Sequence, residues 1–274
     1  MLIKIVIILL SVWHTCATYH TTDYILGRVR LLCALNSRMT CTEHEGILVL
    51  DWDAERSPDQ LWVFNEHARE RITGELALSI INDLARGGPD RRITIVPILN
   101  AWGRRAVENG RGCQRKNERG VDTNRNYAHH PYYKYGEEYE GPYPLSEKET
   151  KLVSTLLLRG TKRYLNIHSG EYSLYMPFDS KNEAPPNAEK MRAMLSKLSP
   201  LCPQCVVGSA AVMSSYKAYG TSVDYAINHG IPEAYTFEIY GRDASTCVDM
   251  FNPPAFKMQK IINQWKTILF RTID

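Results

Sequence analysis

Short apolar runs that alternate with helical stretches are the feature that most constrains how this chain folds. Five runs are predicted as β-strands, over residues 47–52, 61–65, 93–99, 164–168 and 235–239. The run at 93–99 is apolar apart from Thr94, as expected of a strand that is buried on both faces of a sheet. Strands separated by helices predict one α/β domain with a mainly parallel or mixed sheet. Catalytic side chains then belong at the carboxyl ends of the strands.

Apolar spacing and residues typical of helix ends predict the intervening helices. Residues 72–85 have apolar side chains at helical spacing, and the Gly-Gly-Pro sequence at 87–89 ends this pattern. Residues 146–149 (Ser-Glu-Lys-Glu) have the spacing of a capping box and predict the start of another helix. A last helix follows the two prolines at 253–254. Residues 100–143 hold few apolar side chains and are predicted as a long irregular segment, which in compact domains is usually functional or disordered.

The N-terminal segment is typical of a secretory signal peptide. Lys4 is the lone charge in the first nineteen residues, and the apolar run at 5–13 is followed by the small residues Thr15 and Ala17. This order predicts a signal peptide over residues 1–17 and a mature, secreted chain over residues 18–274. The apolar run is too short for a membrane-spanning helix, which needs about 20 residues. A buried N-terminal strand is the alternative.

The cysteines fit an oxidising compartment. Seven are present, and six remain if Cys16 is removed with the signal peptide. An even number in a secreted chain predicts disulfides. Cys202 and Cys205 favour a local disulfide over a zinc site, because no second pair of ligands lies nearby. Cys33 and Cys41 could close a small loop, and the pairing of Cys113 with Cys247 is then expected only by elimination. Six cysteines allow fifteen connectivities, so the sequence alone does not fix the pairs.

Two histidines and two glutamates have the positions of a hydrolytic metal site. His67 and Glu70 follow a predicted strand, and their spacing places both on one face of a helical turn. Alone, that pair also fits a surface histidine beside a capping glutamate. His168 ends another strand, and two histidines with one glutamate make an open zinc site. Glu238 ends a further strand and suits a general base that activates water.

Cationic side chains are concentrated in the irregular segment at 100–143. A solvated basic loop is one interpretation, and recognition of a carboxylate by the planar fork of arginine is the other. The whole chain has 33 basic and 30 acidic residues, a formal charge of +3. This balance does not predict binding to nucleic acid or stable association with an anionic membrane.

In combination, these residues resemble the zinc metallocarboxypeptidases of the carboxypeptidase A/B type. The resemblance extends from about residue 22 to the last helix, and its motifs occur in the family's order. They are His67-Ala-Arg-Glu70, Gln114-Arg-Lys-Asn117, Gly120-Val-Asp-Thr-Asn-Arg-Asn126, Gly141-Pro-Tyr-Pro-Leu-Ser-Glu147, Asn166-Ile-His168-Ser and Thr236-Phe-Glu238. The resemblance implies a single domain with a mixed eight-stranded twisted sheet, flanked by helices, and a zinc ion at the carboxyl edge of the sheet.

The resemblance also implies the metal centre. One Zn²⁺ per chain would be bound by His67, Glu70 and His168, and Asp122 would orient a ligand imidazole. Glu238 would be the general base and then the acid that protonates the leaving amine. Arg115 would stabilise the oxyanion of the tetrahedral intermediate, together with zinc.

The residues that would bind the substrate follow in the same way. Asn124 and Arg125 would hold its terminal carboxylate, which makes the enzyme an exopeptidase. Tyr216 would close over the bound end, and Arg69 would form an auxiliary subsite. Val223 matches the floor of the side-chain pocket. Since valine cannot pair with lysine or arginine, it predicts a preference for apolar or aromatic C-terminal residues.

Some features depart from the family. The usual prodomain has no room between Ala17 and the first strand, so a complete chain would not be held inactive by a prosegment. Arg71 stands where a tryptophan usually follows the zinc motif, and Gly170 stands where many animal members have a tyrosine. Neither change removes a metal ligand or the base.

The expected function is therefore that of a secreted, monomeric carboxypeptidase acting on the C-termini of peptides or proteins. Three alternatives differ in class. The first is an inactive binding homologue, although every ligand, the base and the oxyanion arginine are present. The second is a zinc peptidase or amidase acting on an unusual amide, such as a peptidoglycan stem or a glutamate-linked amide. The third is a disulfide-rich adhesion module, which the clustering of site residues disfavours.

Overall fold

The computed structural model describes residues 19–214 and 216–273. The predicted signal peptide therefore lies outside the described residues. Among the helices that are described, none is both long enough and apolar enough to span a lipid bilayer.

A mixed sheet of eight strands forms the centre of the described part of the chain. Its strands are β1 (Met39–His44), β2 (Ile47–Trp52), β3 (Pro58–Phe64), β4 (Arg92–Val96), β5 (Arg163–His168), β6 (Tyr172–Met176), β7 (Val206–Ser209) and β8 (Glu233–Ile239). Their order is β1-β2-β4-β3-β5-β8-β6-β7. The central strands β4, β3, β5 and β8 are parallel, whereas β2 and β6 pair with them antiparallel. The structure confirms the mixed eight-stranded sheet that the resemblance implies.

Each of the five strands predicted from apolar runs is present, and β2 has the predicted bounds. The pattern missed β1, β6 and β7 for a physical reason. Strands β1 and β7 form the two edges of the sheet, and their exposed and half-buried residues interrupt the apolar pattern. Strand β6 is short and begins with a half-buried tyrosine, so it gives no long apolar run.

Nine α-helices flank the sheet within residues 19–214 and 216–273. They are α1 (Thr22–Leu35), α2 (Arg71–Arg86), α3 (Ala101–Glu108), α4 (Lys148–Leu157), α5 (Ala188–Leu198), α6 (Ala210–Met213), α7 (Ser222–Asn228), α8 (Cys247–Phe251) and α9 (Ala255–Arg271). Helix α9 buries the predicted apolar face, which includes Ile261 and Trp265, and it packs against α2. Helix α3 lies inside the segment predicted as irregular, so that prediction was wrong for residues 101–108.

The predicted capping box does not form at the start of α4. Glu147 occupies the N-cap position without a side-chain cap hydrogen bond, and Ser146 instead donates to the Glu147 carboxylate at 2.6 Å. The side-chain amide of Asn117 donates to Glu147 at 2.8 Å and to Glu149 at 3.1 Å. The glutamates are therefore used to anchor the loop around Asn117, which carries the neighbouring site residue Arg115.

Three disulfides are formed as predicted: Cys33–Cys41, Cys113–Cys247 and Cys202–Cys205. The second joins positions 134 residues apart. It ties the loop that carries Arg115 to helix α8, which carries Phe251 at the cavity described below. This disulfide therefore fixes two walls of the candidate site relative to each other.

Candidate metal centre and active site

The turn that carries His67 and Glu70 begins where β3 ends. Asn65 follows β3 with a left-handed backbone (φ 52°), a conformation that asparagine tolerates better than most residues. Its side-chain amide donates to the carbonyl of His67 at 2.9 Å, and its backbone N–H donates to the Thr73 hydroxyl at 3.0 Å. These contacts fix the turn, so that Glu70 stands at the N-terminus of α2 with His67 directly before it.

The three predicted metal ligands meet in a buried cluster. Oε1 of Glu70 lies 2.8 Å from Nδ1 of His67, and its Oε2 lies 3.0 Å from Nδ1 of His168. One ligand atom from each of the three side chains lies within 4.8 Å of the others. Burial would raise the pKa of Glu70, but the adjacent His67 and His168 hold it below its ordinary value. Two imidazoles and a carboxylate are the donors of an open zinc site, so the cluster fits that metal.

Asp122 lies behind the cluster, as predicted. Its Oδ1 contacts Nε2 of His67 at 3.1 Å, and its Oδ2 accepts a hydrogen bond from Nε of Arg115 at 2.7 Å. Burial opposes the charge of Asp122, but Arg115 and His67 hold the pKa of that carboxyl well below its usual range. A permanent carboxylate at this position fixes the orientation of the His67 ring.

Glu238 reaches the metal cluster through the strand pairing. Strands β5 and β8 are parallel neighbours, and His168 pairs with Glu238 in their register. Within the described residues, Oε2 of Glu238 is buried without a hydrogen-bond partner. Burial, and then the charge of Glu70, raises the pKa of Glu238 to about 8. A carboxylate of raised pKa beside a metal cluster has the properties of a general base.

Arg125 is the buried cation of the site. It ends the short 3₁₀ turn Thr123–Arg125, in which Asp122 accepts a hydrogen bond from the Asn124 backbone N–H at 3.1 Å. Its guanidinium is only 2% exposed and donates to the Glu138 carboxylate at 2.5 Å. Asn124 is held in turn by the N–H of Ser222 at the start of α7, which donates to its side-chain oxygen at 2.9 Å. The site thus contains a fixed guanidinium that already holds a carboxylate.

One cavity of about 290 Å³ joins these groups. Its wall contains nine of the residues that the sequence predicts for the site: His67, Arg69, Glu70, Arg115, Asn124, Arg125, His168, Tyr216 and Glu238. Arg69 stacks on the ring of Phe251 with its Cζ 4.2 Å from the centroid, and it contacts Glu137 at 3.5 Å. Tyr216 is 58% exposed, as expected of a residue at the mouth of the cavity.

Comparison with known proteins supports the interpretation of the cluster as a zinc site. Residues 52–269 match the model of the zinc carboxypeptidase family, peptidase M14. The chain belongs to the zinc carboxypeptidase family. This family is zinc-dependent, and the cluster of His67, Glu70 and His168 provides the side chains that can hold the metal.

Individual zinc carboxypeptidases are similar over part of their length. Carboxypeptidase A2 of Rattus norvegicus is 27% identical over 271 residues, which cover 81% of this chain and 62% of that protein. Carboxypeptidase A6 of Homo sapiens is 32% identical over 138 residues, covering 44% of this chain and 31% of that protein. Mast cell carboxypeptidase A of Rattus norvegicus is 31% identical over 114 residues, covering 39% and 28%. The match thus spans less than two thirds of each of these relatives.

Solved zinc carboxypeptidase structures share the fold. Carboxypeptidase A from Helicoverpa armigera superimposes with a TM-score of 0.81 at 20% identity, covering 94% of this chain and 74% of that one. Bovine thrombin-activatable fibrinolysis inhibitor, in complex with tick carboxypeptidase inhibitor, gives 0.79 at 20% identity, covering 93% and 96%. These likenesses confirm the single-domain architecture described above.

The structure does not place Val223 where the sequence comparison put it. Val223 is 1% exposed and lies in the hydrophobic core, outside the cavity wall. Helix α7 packs on β5 and β8, and Val223 is part of the core that these elements share. The cavity wall contains Asp179, Ala210, Thr221 and Thr236, which the sequence did not predict for the site.

Three further residues were missed by sequence reasoning. Glu66 is fully buried beside His168, Glu138 holds Arg125, and Asp179 lines the cavity. Only Glu66 left a signal in the sequence, since a charged residue between a buried strand and a metal ligand is unusual. Glu138 and Asp179 lie in loops whose path the sequence pattern does not indicate.

Proposed function

We propose that this zinc carboxypeptidase family member is an active exopeptidase that hydrolyses the C-terminal peptide bond of peptides or proteins. The observation that supports the proposal is a cavity that combines a three-residue metal cluster, a buried arginine and a carboxylate. One oxygen of that carboxylate has no hydrogen-bond partner among the described residues. The cluster and Glu238 suit hydrolysis, and Arg125 suits recognition of a chain end. An internal peptide bond would present no carboxylate to Arg125.

The metal centre would consist of one Zn²⁺ held by His67, Glu70 and His168. When bound, zinc polarises the scissile carbonyl and makes a water molecule more acidic. Asp122 keeps the His67 ring in place, because it contacts the ring nitrogen that does not contact Glu70.

Glu238 would take a proton from the attacking water and then deliver it to the leaving amine. Its raised pKa, about 8, suits both transfers near neutral pH. Arg115 would donate to the oxyanion that forms on the scissile carbonyl. Its Nε is held by Asp122, which leaves its terminal nitrogens for the substrate.

The substrate's terminal carboxylate would replace Glu138 on Arg125, with Asn124 as the second contact. Arg125 is buried and held in a 3₁₀ turn, so little ordering is needed when a carboxylate binds. Tyr216, exposed at the mouth, would close over the bound end. Arg69 would contact the substrate on the amino side of the scissile bond.

Secretion and domain organisation are part of the same proposal. Residues 1–17 would be a signal peptide, and residues 18–274 would form the catalytic domain of a monomeric enzyme. The disulfides Cys33–Cys41, Cys113–Cys247 and Cys202–Cys205 support an oxidising compartment.

A panel of blocked dipeptides ending in Phe, Leu, Lys, Arg and Glu tests the activity, with and without a zinc chelator. We expect turnover that the chelator abolishes and added zinc restores. Glu238→Gln should lower kcat by about 10²–10⁴, the usual contribution of a general base. The same dipeptides with an amidated C-terminus should not be cleaved, since Arg125 then has no carboxylate to bind.

Three results would contradict the proposal. Turnover that survives chelation would show that the reaction does not require the metal. Cleavage of the amidated peptides would show that the enzyme is not a C-terminal exopeptidase. Absence of turnover with zinc-loaded protein on every substrate would favour the inactive homologue or the enzyme for an unusual amide. The apolar preference predicted from Val223 is tested by the same panel.

A further inference from the structure

Asp179 is held in the cavity wall by hydrogen bonds of its own backbone N–H and carbonyl groups. It follows β6 and is 8% exposed. Its N–H donates to Oδ1 of Asp224 at 2.8 Å, and its carbonyl accepts a hydrogen bond from the N–H of Ala218 at 3.0 Å. The backbone of Asp179 is therefore fixed by the fold, at a position where the residue lines the cavity.

Asp179 and Asp224 differ in the groups that stabilise the negative charge of their carboxylates. Asp224 accepts hydrogen bonds from the backbone N–H groups of Asp179 and Ser180 and, at 2.5 Å, from the Ser180 hydroxyl. Asp179 forms no ion pair with any lysine or arginine in residues 19–214 and 216–273. Burial, and then the charge of Asp224, raises the pKa of Asp179 to about 7. A buried carboxylate without a counter-ion is unfavourable, and a cation brought by a ligand removes that penalty.

The two cations that act on the charge of Asp179 are already committed to other groups. Arg125 and His168 both lower the pKa of Asp179, but Arg125 is paired with Glu138 and His168 contacts Glu70. Both would be engaged by the substrate carboxylate and the metal in the working enzyme. Neither is therefore the counter-ion of Asp179.

The surroundings of Asp179 leave room for a long side chain with a polar end. Ala210 and Ala218 contribute only methyl groups to this part of the wall. Thr221 and Thr236 add hydroxyl groups, and the Thr236 hydroxyl has no hydrogen-bond partner in the described part of the chain. This combination of small side chains, a free hydroxyl and a carboxylate is suited to an ammonium or guanidinium group on an aliphatic stem.

We propose that Asp179 binds the side chain of a C-terminal lysine or arginine, so that this chain prefers basic residues at the end of its substrate. The proposal rests on the proposed function. With the substrate carboxylate on Arg125 and the scissile carbonyl at the metal cluster, the terminal side chain has the remaining part of the cavity, which contains Asp179. It replaces the apolar preference that Val223 predicted.

Binding of free amino acids tests the pocket without requiring turnover. L-lysine and L-norleucine have the same aliphatic chain and differ in the terminal ammonium. By calorimetry on the zinc-loaded protein, we expect L-lysine to bind about ten- to a hundred-fold more tightly, the range for a hydrogen bond to a charged group. Equal affinity, or tighter binding of L-norleucine, would overturn the proposal.

Asp179→Asn should abolish this difference because it removes the charge and keeps the shape. Glu171→Gln tests the other acid in the wall that is neither a metal ligand nor the expected base. Loss of the lysine preference in Glu171→Gln, and not in Asp179→Asn, would assign the pocket to Glu171 and overturn the proposal. Asp243→Asn, at an exposed position, is the control for the substitution itself, and circular dichroism checks that each variant is folded.

Turnover separates this proposal from the proposed function. We expect kcat/KM for dipeptides ending in Lys and Arg to exceed that for Phe and Leu. Asp179→Asn should lower it about ten- to a hundred-fold for Lys and Arg but not for Phe and Leu. Turnover of Phe and Leu but not of Lys and Arg would overturn the basic preference and leave the carboxypeptidase standing. Tighter binding of L-lysine without turnover of any dipeptide would support the binding of basic side chains by Asp179 and would contradict the proposed carboxypeptidase activity.

Discussion

Oε2 of Glu66 lies 3.5 Å from Nε2 of His168, the ring nitrogen that does not contact Glu70. Glu66 is fully buried, and its Oε2 also accepts a hydrogen bond from the Asn166 side chain at 2.7 Å. Asp122 has the corresponding position at His67. Each imidazole of the metal cluster therefore has a carboxylate behind it, a device that orients metal-binding histidines and raises their basicity.

This arrangement predicts that Glu66 contributes to zinc affinity. Glu66→Gln should weaken zinc binding by about 10–100-fold, as is usual for residues that support a ligand from behind. Competition with a chromophoric chelator measures the affinity directly, and Asp122→Asn serves as the comparison at the other histidine. Unchanged affinity in Glu66→Gln alongside a loss in Asp122→Asn would show that Glu66 is only a packing residue.

The sequence predicted the metal cluster because its ligands lie at strand ends. His67 follows β3, while His168 and Glu238 lie at the ends of β5 and β8, and parallel strands bring their carboxyl ends to one edge of the sheet. The pairing of His168 with Glu238 depends on a register between positions far apart in the chain, which local patterns do not specify.

The remaining features of the site depend on contacts that a linear pattern does not contain. Val223 lies in the core and not in the cavity wall, because the packing of α7 decides which of its side chains are buried. Asp179 gave no signal, because its proposed role depends on the absence of an ion pair with any lysine or arginine in the described part of the chain, and not on its neighbours in sequence. The edge strands β1 and β7 were missed because partial exposure removes the apolar run that marks a strand.

Glu138 is expected to compete with the substrate for Arg125. The two side chains form an ion pair, and Glu138 is 37% exposed whereas Arg125 is buried. Glu138→Ala should therefore lower KM for C-terminal substrates, by at most about five-fold given the small free energy of partly exposed pairs. The value of kcat should not change, since Glu138 does not line the cavity. Steady-state kinetics on one dipeptide checks this, with Glu118→Ala as an exposed control, and a raised KM would mean that Glu138 helps to hold Arg125 in place.

The stability of the fold should report the charge on Asp179. Its pKa is raised in the folded state to about 7, above the ordinary value of 3.8, because of burial and the adjacent Asp224. The resulting stabilisation is fully present below about pH 4 and is lost as the pH rises through 7, where the folded protein must hold a buried charge. Arg125 and His168 face Asp179 and reduce this effect without cancelling it.

Asp179→Asn should consequently be more stable than the unaltered protein at pH 8, by at most about 4 kcal/mol at 1.4 kcal/mol per pKa unit. The difference should shrink toward pH 5. Urea unfolding at the two pH values measures it. Asp224→Asn is the matched comparison and should be destabilised at both, because Asp224 accepts three hydrogen bonds. A pH-independent difference for Asp179→Asn would mean that the pKa of Asp179 is the same in the folded and the unfolded protein.

The disulfide between Cys113 and Cys247 should stabilise the fold and the substrate side of the cavity together. It closes a span of 134 residues, whereas Cys202–Cys205 closes a span of three. The loop-entropy relation gives an upper limit of about 5 kcal/mol for the long span and about 2 kcal/mol for the short one. The long disulfide also joins the loop carrying Arg115 to helix α8, whose Phe251 stacks on Arg69. Replacing both Cys113 and Cys247 by serine should therefore lower the free energy of unfolding and raise KM. Replacing both Cys202 and Cys205 by serine should lower the free energy of unfolding less and leave KM unaltered. Equal losses of stability in the two double variants, measured by denaturant unfolding, would show that the length of the closed span does not determine the stabilisation.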